Sequence, residues 1–309
     1  MAFSSGLVSY GSGDRRESLL SILKDVSPNT DNYLVSNLAV APSATNTLHE
    51  WGVYNTARPT SVTNAVEGAS PTYDALDTPT RSTNYTAIIN KPVRVSGTQR
   101  AISTITKEDP YTFQKTAALR RLKADMEYVT INGPVAAGAT DSARGMAGIN
   151  GCISTNITAR SSGQSFTETE LNDIIQQSWD AVGADYTADM LLCPMVIKRR
   201  ISGFSTNLTR NVNASEKRLT TEVRVYDSQV GPTVMIIPHK DVNAAAGTVT
   251  VYALREDCFA HSFLEGREPK WEELAKDGDR ENGQYLTEMT LVSYAQRASV
   301  KRTGYATTL

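Results

Sequence analysis

With 309 residues, 31 Lys+Arg against 33 Asp+Glu and a net charge of −2, the chain can bury one large core or two smaller ones. It is too evenly charged for a general nucleic-acid binder. No apolar run approaches the length of a membrane span, and the polar start MAFSSGLVSYGSGDRRES lacks the basic-then-apolar order of a signal peptide.

In chain order, residues 1–13 are small and polar, an arm rather than core. Residues 14–26 (DRRESLLSILKDV) have the spacing of a short amphipathic helix through Leu19, Leu20, Ile22, Leu23 and Val26, closed by Ser27-Pro28-Asn29-Thr30. A further turn or two of helix is expected over Asn32–Val40. Residues 42–100 are rich in Ser, Thr, Asn and Pro and too poor in apolar side chains for a core of their own. They nonetheless hold two strand-like runs, Thr47–Tyr54 and Tyr85–Ser96, around a middle broken by Pro59, Gly68, Pro71 and Pro79. This predicts a long β-hairpin projecting from a body, with open edges that invite pairing with another chain.

Pro110–Ile131 is the most convincing helix. Asp109 is placed to cap it, with Pro110 at the first helical position. Ala118, Leu122, Met126 and Val129 form one narrow apolar stripe, and Arg121/Asp125 and Lys123/Glu127 read as i,i+4 pairs on wetter faces. Asn132-Gly133-Pro134 stops it. At 22 residues the rod is about 33 Å long and should lie across a surface.

Residues 135–165 read as a Gly/Ala/Ser-rich connection. Thr167 and Glu170 then form a capping box for a helix through Leu171, Ile174, Ile175, Ser178, Trp179 and Val182. Met190–Cys193 reads as a buried strand, Pro194 as the start of a helix to about Ile201, and Thr233–Ile237 and Thr248–Leu254 as strands. Together they predict a compact α/β body. Residues 255–282 look charged and loop-like, and Gln284–Lys301 looks like one long strand returning toward the long helix.

Chemistry is sparse. There is no phosphate-binding loop, no H-E-x-x-H and no G-x-S-x-G. The glycines from Gly145 to Gly151 read as turn formers. His49, His239 and His261 are the only histidines, and Cys258/His261 has ligand-like spacing without a second pair. Cys152, Cys193 and Cys258 are an odd, widely spaced set that reads as reduced thiols. Sequons at Asn84, Asn156, Asn207 and Asn213 are chance matches in a Ser/Thr/Asn-rich chain. Residues 197–224 are basic (Lys198, Arg199, Arg200, Arg210, Lys217, Arg218 and Arg224 against Glu216 and Glu222), and 254–282 are acidic. Solvated surfaces account for both blocks; the alternative is that they meet across copies of the chain.

The order of parts carries a resemblance, and so do several stretches: Ser27-Pro-Asn-Thr-Asp-Asn-Tyr33, Asn46-Thr-Leu-His-Glu-Trp51, Pro92-Val-Arg-Val-Ser-Gly-Thr-Gln99, Ala118-Leu-Arg-Arg-Leu-Lys123 with Glu127, and Ala143-Arg-Gly-Met-Ala-Gly148. Over nearly its whole length the chain resembles the major capsid proteins of tailed bacteriophages, whose fold is named after phage Hong Kong 97. The resemblance implies an α+β fold. Residues 1–45 would be an N-terminal arm and 46–105 an extended loop. Residues 106–150 with 255–309 would be a peripheral domain built on the spine helix, and 151–254 an axial α/β domain. It implies hexamers and pentamers tiling an icosahedral shell around double-stranded DNA, in a virion assembled in the host bacterial cytoplasm. The implied partners are a separate scaffolding protein, a portal, a decoration or cement protein, and DNA held by non-specific contact. No catalytic residue, cofactor, metal or membrane is implied. Expected inter-subunit contacts are Trp51, Tyr54, Arg58 and Glu67 on the loop, Arg120, Arg121 and Lys123 on the spine, and Lys198, Arg199 and Arg200 in the basic block. An encapsulin-type compartment and a tail or decoration protein are the competing readings.

Overall fold

The computed structural model describes residues 32–54, 62, 64–70, 73, 77–102, 109–204, 212–213, 218–219, 223–229, 233–242, 244–245 and 248–306. The helix expected over 14–26 lies outside them.

The spine helix spans Pro110–Asn132. The Asp109 carboxylate accepts from the N–H groups of Tyr111 (3.2 Å) and Thr112 (3.4 Å), two donors that the first turn leaves without helical acceptors. At the far end Gly133 N–H donates to Val129 O at 2.9 Å. Ala118, Leu122 and Met126 are buried and Val129 packs on the same core. The helix lies across the strand Ala87–Ser96, whose Ala87, Ile89 and Val95 are buried beneath it.

Its charged residues depart from the expected i,i+4 pairs. Asp125 binds Lys91 of the underlying strand (2.5 Å) rather than Arg121. Glu127 faces no solvent at all. One carboxylate oxygen accepts from Leu34 N–H and the other from Val35 N–H, both at 2.8 Å, in the short helix Tyr33–Asn37. His239 Nε2 lies 2.9 Å from the Leu34-bonded oxygen, with both side chains fully buried. His239 Nδ1 accepts from Asp241 N–H at 3.1 Å, which leaves the ring hydrogen on Nε2, facing Glu127. Asn132 Nδ2 donates to Asp241 O at 2.7 Å. Arm segment, spine and the loop after strand Thr233–Pro238 thus meet at one carboxylate.

A five-stranded sheet centres on Arg280–Ser293. One edge of this strand pairs antiparallel with Ala87–Ser96; the other pairs with Phe259–Phe263 and then Lys270–Leu274. Ala39–Val40 adds parallel to Phe259–Phe263. Two expectations fail here. Residues 255–282 contain two strands rather than only loop. Ala87–Ser96 is a sheet strand, so the hairpin is instead Leu48–Val53 against Thr80–Tyr85, in register from Leu48↔Tyr85 to Val53↔Thr80.

The second sheet runs Ile157–Gln164, Val300–Ala306, Thr248–Leu254, Met190–Cys193, Thr233–Pro238, Val225–Asp227, with Ala244–Ala245 beside Thr248–Leu254. Met190–Cys193 is buried on both faces, hence its unbroken apolar run. Met190 and Leu192 join the spine-helix core, while Leu191 and Cys193 join a separate core under the helices Glu168–Val182 and Met195–Gly203. The expected single strand Gln284–Lys301 is two strands. A turn at Gln296–Ala298 carries the chain from the first sheet to the second, so Val300–Ala306 pairs with the α/β body and not with the spine's body.

Glu170 is only half of a capping box. Thr167 Oγ1 accepts from Glu170 N–H (3.3 Å), but the Glu170 carboxylate turns away to Arg160 (2.8 Å), Arg302 (2.6 Å) and Tyr305 Oη (3.0 Å). Trp179, expected on the buried stripe, is exposed. The glycines of 145–148 serve close backbone packing rather than turns alone. A Cβ on Gly148 would sit 2.6 Å from Val129 O, and one on Gly145 would sit 2.5 Å from Pro134 O.

Replacing Glu127 by Ala strands two buried N–H donors and His239. Urea unfolding of the subunit should show a loss of about 3–5 kcal/mol, the range for breaking a buried charged cluster, whereas Asp125→Ala should cost under about 1 kcal/mol. Comparable losses from both would contradict the assigned role of Glu127.

His261 supplies a pH dependence. Burial pushes its pKa from 6.5 down to about 4, against the opposing pull of Glu127, and Nε2 lies 3.3 Å from Thr130 Oγ1. The folded ring therefore binds fewer protons than the unfolded one between these values. Its contribution is complete above about pH 6.5 and falls away toward pH 4, by an amount on the order of 3 kcal/mol. Denaturation midpoints across this window should slope less in His261→Gln than in the parent chain.

Candidate assembly interface

Among the described residues no three His, Cys, Asp or Glu side chains cluster as a metal site would require. Burial drives the Cys193 thiol up to about 12 and Cys258 up to about 11, so neither is a ready nucleophile. Asn84 cannot carry a glycan, because its side chain is buried and hydrogen-bonded at both ends. An open hollow of about 400 Å³ near the spine N-terminus is lined by Arg100, Lys115, Glu273 and Glu281. Its charges satisfy one another: Arg100 pairs with Glu281 and Asp109, and Tyr111 Oη donates to Glu273. No helix among the described residues is long and apolar enough to cross a membrane.

What the geometry does build is a fixed base beneath the projecting hairpin. Asn84, near the end of the returning strand, donates from Nδ2 to Leu291 O (2.8 Å) and Ala147 O (3.0 Å), and accepts at Oδ1 from Ala147 N–H (2.8 Å). Two residues on, Thr86 Oγ1 donates to the buried Glu288 carboxylate at 2.7 Å. Arg144 donates from Nε to Thr86 O (2.8 Å) and pairs with Glu288 through Nη2. Trp51 belongs to the same base. Its indole N–H donates to Ser293 O at 3.0 Å, and its ring packs on Ala41, Ala260 and Val292. The residue expected to touch a neighbour is mainly a tether within its own subunit.

Beyond this base the large side chains among the described residues are uncovered. Tyr54 is 61% exposed, Val66 77% and Tyr73 89%, and Glu67 is exposed beside Gly68, which turns the chain at φ 81°. Arg58 lies outside the described residues. These large apolar groups stand in water beyond the strand pair, which ends at Val53 and Thr80. On the spine, Arg120, Arg121 and Lys123 all lie on the exposed side. In the helix Met195–Gly203, Arg199 is exposed, while Lys198 and Arg200 are half-buried. The acidic block is largely consumed internally. Asp277 holds Arg280 and Arg94, and Glu281 holds Arg100 and Lys276. A general pairing of acidic and basic blocks between copies therefore loses most of its acids.

Sequence reasoning missed Asn84, Thr86, Arg144 and Glu288. Asn84 appeared only as a sequon and Arg144 only as part of a glycine-rich stretch. Isolated polar residues have no periodicity, and their partners lie up to 207 residues away.

The sequence matches the family described as SU10 major capsid protein over residues 3–306. No curated protein matches by sequence. Among solved structures, the fold is similar to the capsid asymmetric unit of cyanophage A-1(L), at 12% identity and a TM-score of 0.69, covering 98% of this chain and 100% of that one. The capsid of a native GTA particle is similar at 12% identity and a TM-score of 0.62, covering 99% and 100%. The holo-SrpI encapsulin complex from Synechococcus elongatus PCC 7942 is similar at 11% identity and a TM-score of 0.62, covering 96% and 94%. At such identities these likenesses show the Hong Kong 97-type fold alone. The family match spans nearly the whole sequence, and on that ground the chain belongs to the SU10 major capsid protein family, as a shell protein of a phage head.

Proposed function

We propose that this subunit gathers into hexamers and pentamers that tile an icosahedral head around double-stranded DNA, each copy laying its loop over the next. The observation that carries this reading is the hairpin. Its base is locked by Asn84, Trp51 and Thr86, while Tyr54, Val66 and Tyr73 stand in water. A contact between unlike patches, repeated around an axis, closes a ring, and a loop that cannot bury itself is stabilised by a neighbour. In this arrangement 1–45 is the arm, 46–105 the extended loop, 106–150 with most of 255–309 the peripheral domain, and 151–254 the axial domain. The strand Val300–Ala306 is counted with the axial domain because it pairs there.

Arg120, Arg121 and Lys123 are suited to a loose, salt-sensitive attraction to a neighbouring loop or to phosphates of the packaged DNA. A separate scaffolding protein, a portal and a decoration protein complete the assembly in the host bacterial cytoplasm. The tail or decoration reading falls with the family match. A cargo compartment remains the second reading because of the encapsulin likeness, and particles filled with protein rather than DNA would favour it.

Loop truncation tests the proposal. Val53 faces Thr80 across the strand pair, so a tight turn replacing 54–79 can close the hairpin. The truncated subunit should keep its circular dichroism and thermal midpoint, yet sediment as free subunits where the full chain, with its scaffold, forms closed particles in electron micrographs. Closed particles from the truncated chain would overturn the role given to the loop.

A further inference from the structure

The α/β body carries two exposed patches of complementary character, one on each of two helices. The helix Glu168–Val182 lies over strands Thr248–Leu254 and Val300–Ala306, whereas Met195–Gly203 lies against Thr233–Pro238. In the strand order these supports sit toward opposite edges of the sheet. Both helices bury their apolar sides in the same core: Leu171, Ile174 and Ile175 from one, Ile197 and Ile201 from the other.

The first patch lies where the longer helix ends. Trp179 is 43% exposed, the short turn Ala184–Tyr186 that follows the helix carries an exposed Tyr186, and Asp180 and Asp185 are also exposed. Among the described residues neither carboxylate has an ion partner and the indole N–H has no acceptor. The last turn of this helix has no basic residue, so its partial negative charge adds to the two carboxylates. Aromatic faces and carboxylates together select a cation on an apolar stem. The second patch offers one. Arg199 is exposed and has no ion partner among the described residues, and exposed Met195 precedes it by one helical turn. A thioether beside an indole and a guanidinium over it are both favourable contacts.

We propose that Trp179, Asp180, Asp185 and Tyr186 of one subunit receive Arg199 and Met195 of the next copy, as the repeating contact of the α/β bodies around a ring. The occupant is a second copy because the patches match in charge and sit on two different helices of each body, so a contact between unlike patches can repeat from copy to copy. The inference rests on the shell reading above.

Charge exchange tests it. Arg199→Glu alone, and Asp180→Lys with Asp185→Lys, should each lower the fraction of subunits in closed particles at least about tenfold, as like charges do at a contact. Combining all three substitutions in one chain should restore assembly to within about twofold of the parent. Unchanged thermal midpoints of the free subunits would separate an assembly defect from misfolding. If parent particles form and the single-patch variants assemble equally well, the pairing is wrong while the shell reading stands. A combined variant no better than the worse of its parents also overturns the pairing. If the parent with its scaffold forms no closed particles, both readings fail. Trp179→Ala particles that form normally but lose a second phage protein would assign the patch to that protein and refute the contact between copies.

Discussion

The fold depends first on the buried carboxylate of Glu127. Removing a charge from water costs several kcal/mol unless donors replace the lost hydration. Here two backbone N–H groups of the arm and a histidine from the loop after a second-sheet strand take that place. Because both oxygens are occupied by groups from different parts of the chain, the spine helix, arm and second sheet are held in one relative geometry. An apolar residue could fill the space but could not specify which segments meet there.

The same device recurs twice. Glu288 joins the foot of the hairpin, the loop bearing Arg144 and the central strand of the first sheet. Glu170 joins a helix to the final strand through Arg302 and Tyr305, and to the strand Ile157–Gln164 through Arg160. Burial pushes the Glu170 carboxyl up, but these partners outweigh it and hold the group below its ordinary value. Each joint lies where elements distant in sequence converge. The Glu288 joint fixes the foot of the hairpin on the body. The apolar cores supply most of the cohesion; the carboxylates fix the angles.

The hairpin shows the complementary choice. Its polar composition and many breakers leave too little apolar surface for self-burial, and Tyr54, Val62, Val66 and Tyr73, among the described residues, stand exposed beyond its strands. Two strands alone are marginal in water. Among the described residues, the subunit therefore stabilises only the foot of the hairpin. Trp51 marks the boundary between the two regimes: it sits on the hairpin, yet its ring and N–H are engaged by its own subunit.

The sequence by itself determined whatever depends on local order. It set the spine helix with its Asp109 cap and Gly133 stop, the twice-buried strand Met190–Cys193, the helix Glu168–Val182, and the hairpin as a polar projection, since capping, periodicity and breakers act within a few residues. The resemblance of its motifs was enough to point to the family. Tertiary structure alone decided which strand the hairpin's second arm would be, why the chain after Ser293 crosses to the other sheet, and that Glu127 is a buried joint rather than a surface charge. It also decided that Trp179, on a helical stripe that reads as core, faces outward. Strand pairing and polar burial are set by groups 92 to 242 residues apart, brought together only when the cores close. A pattern of 3.6 or 2 residues carries no record of them.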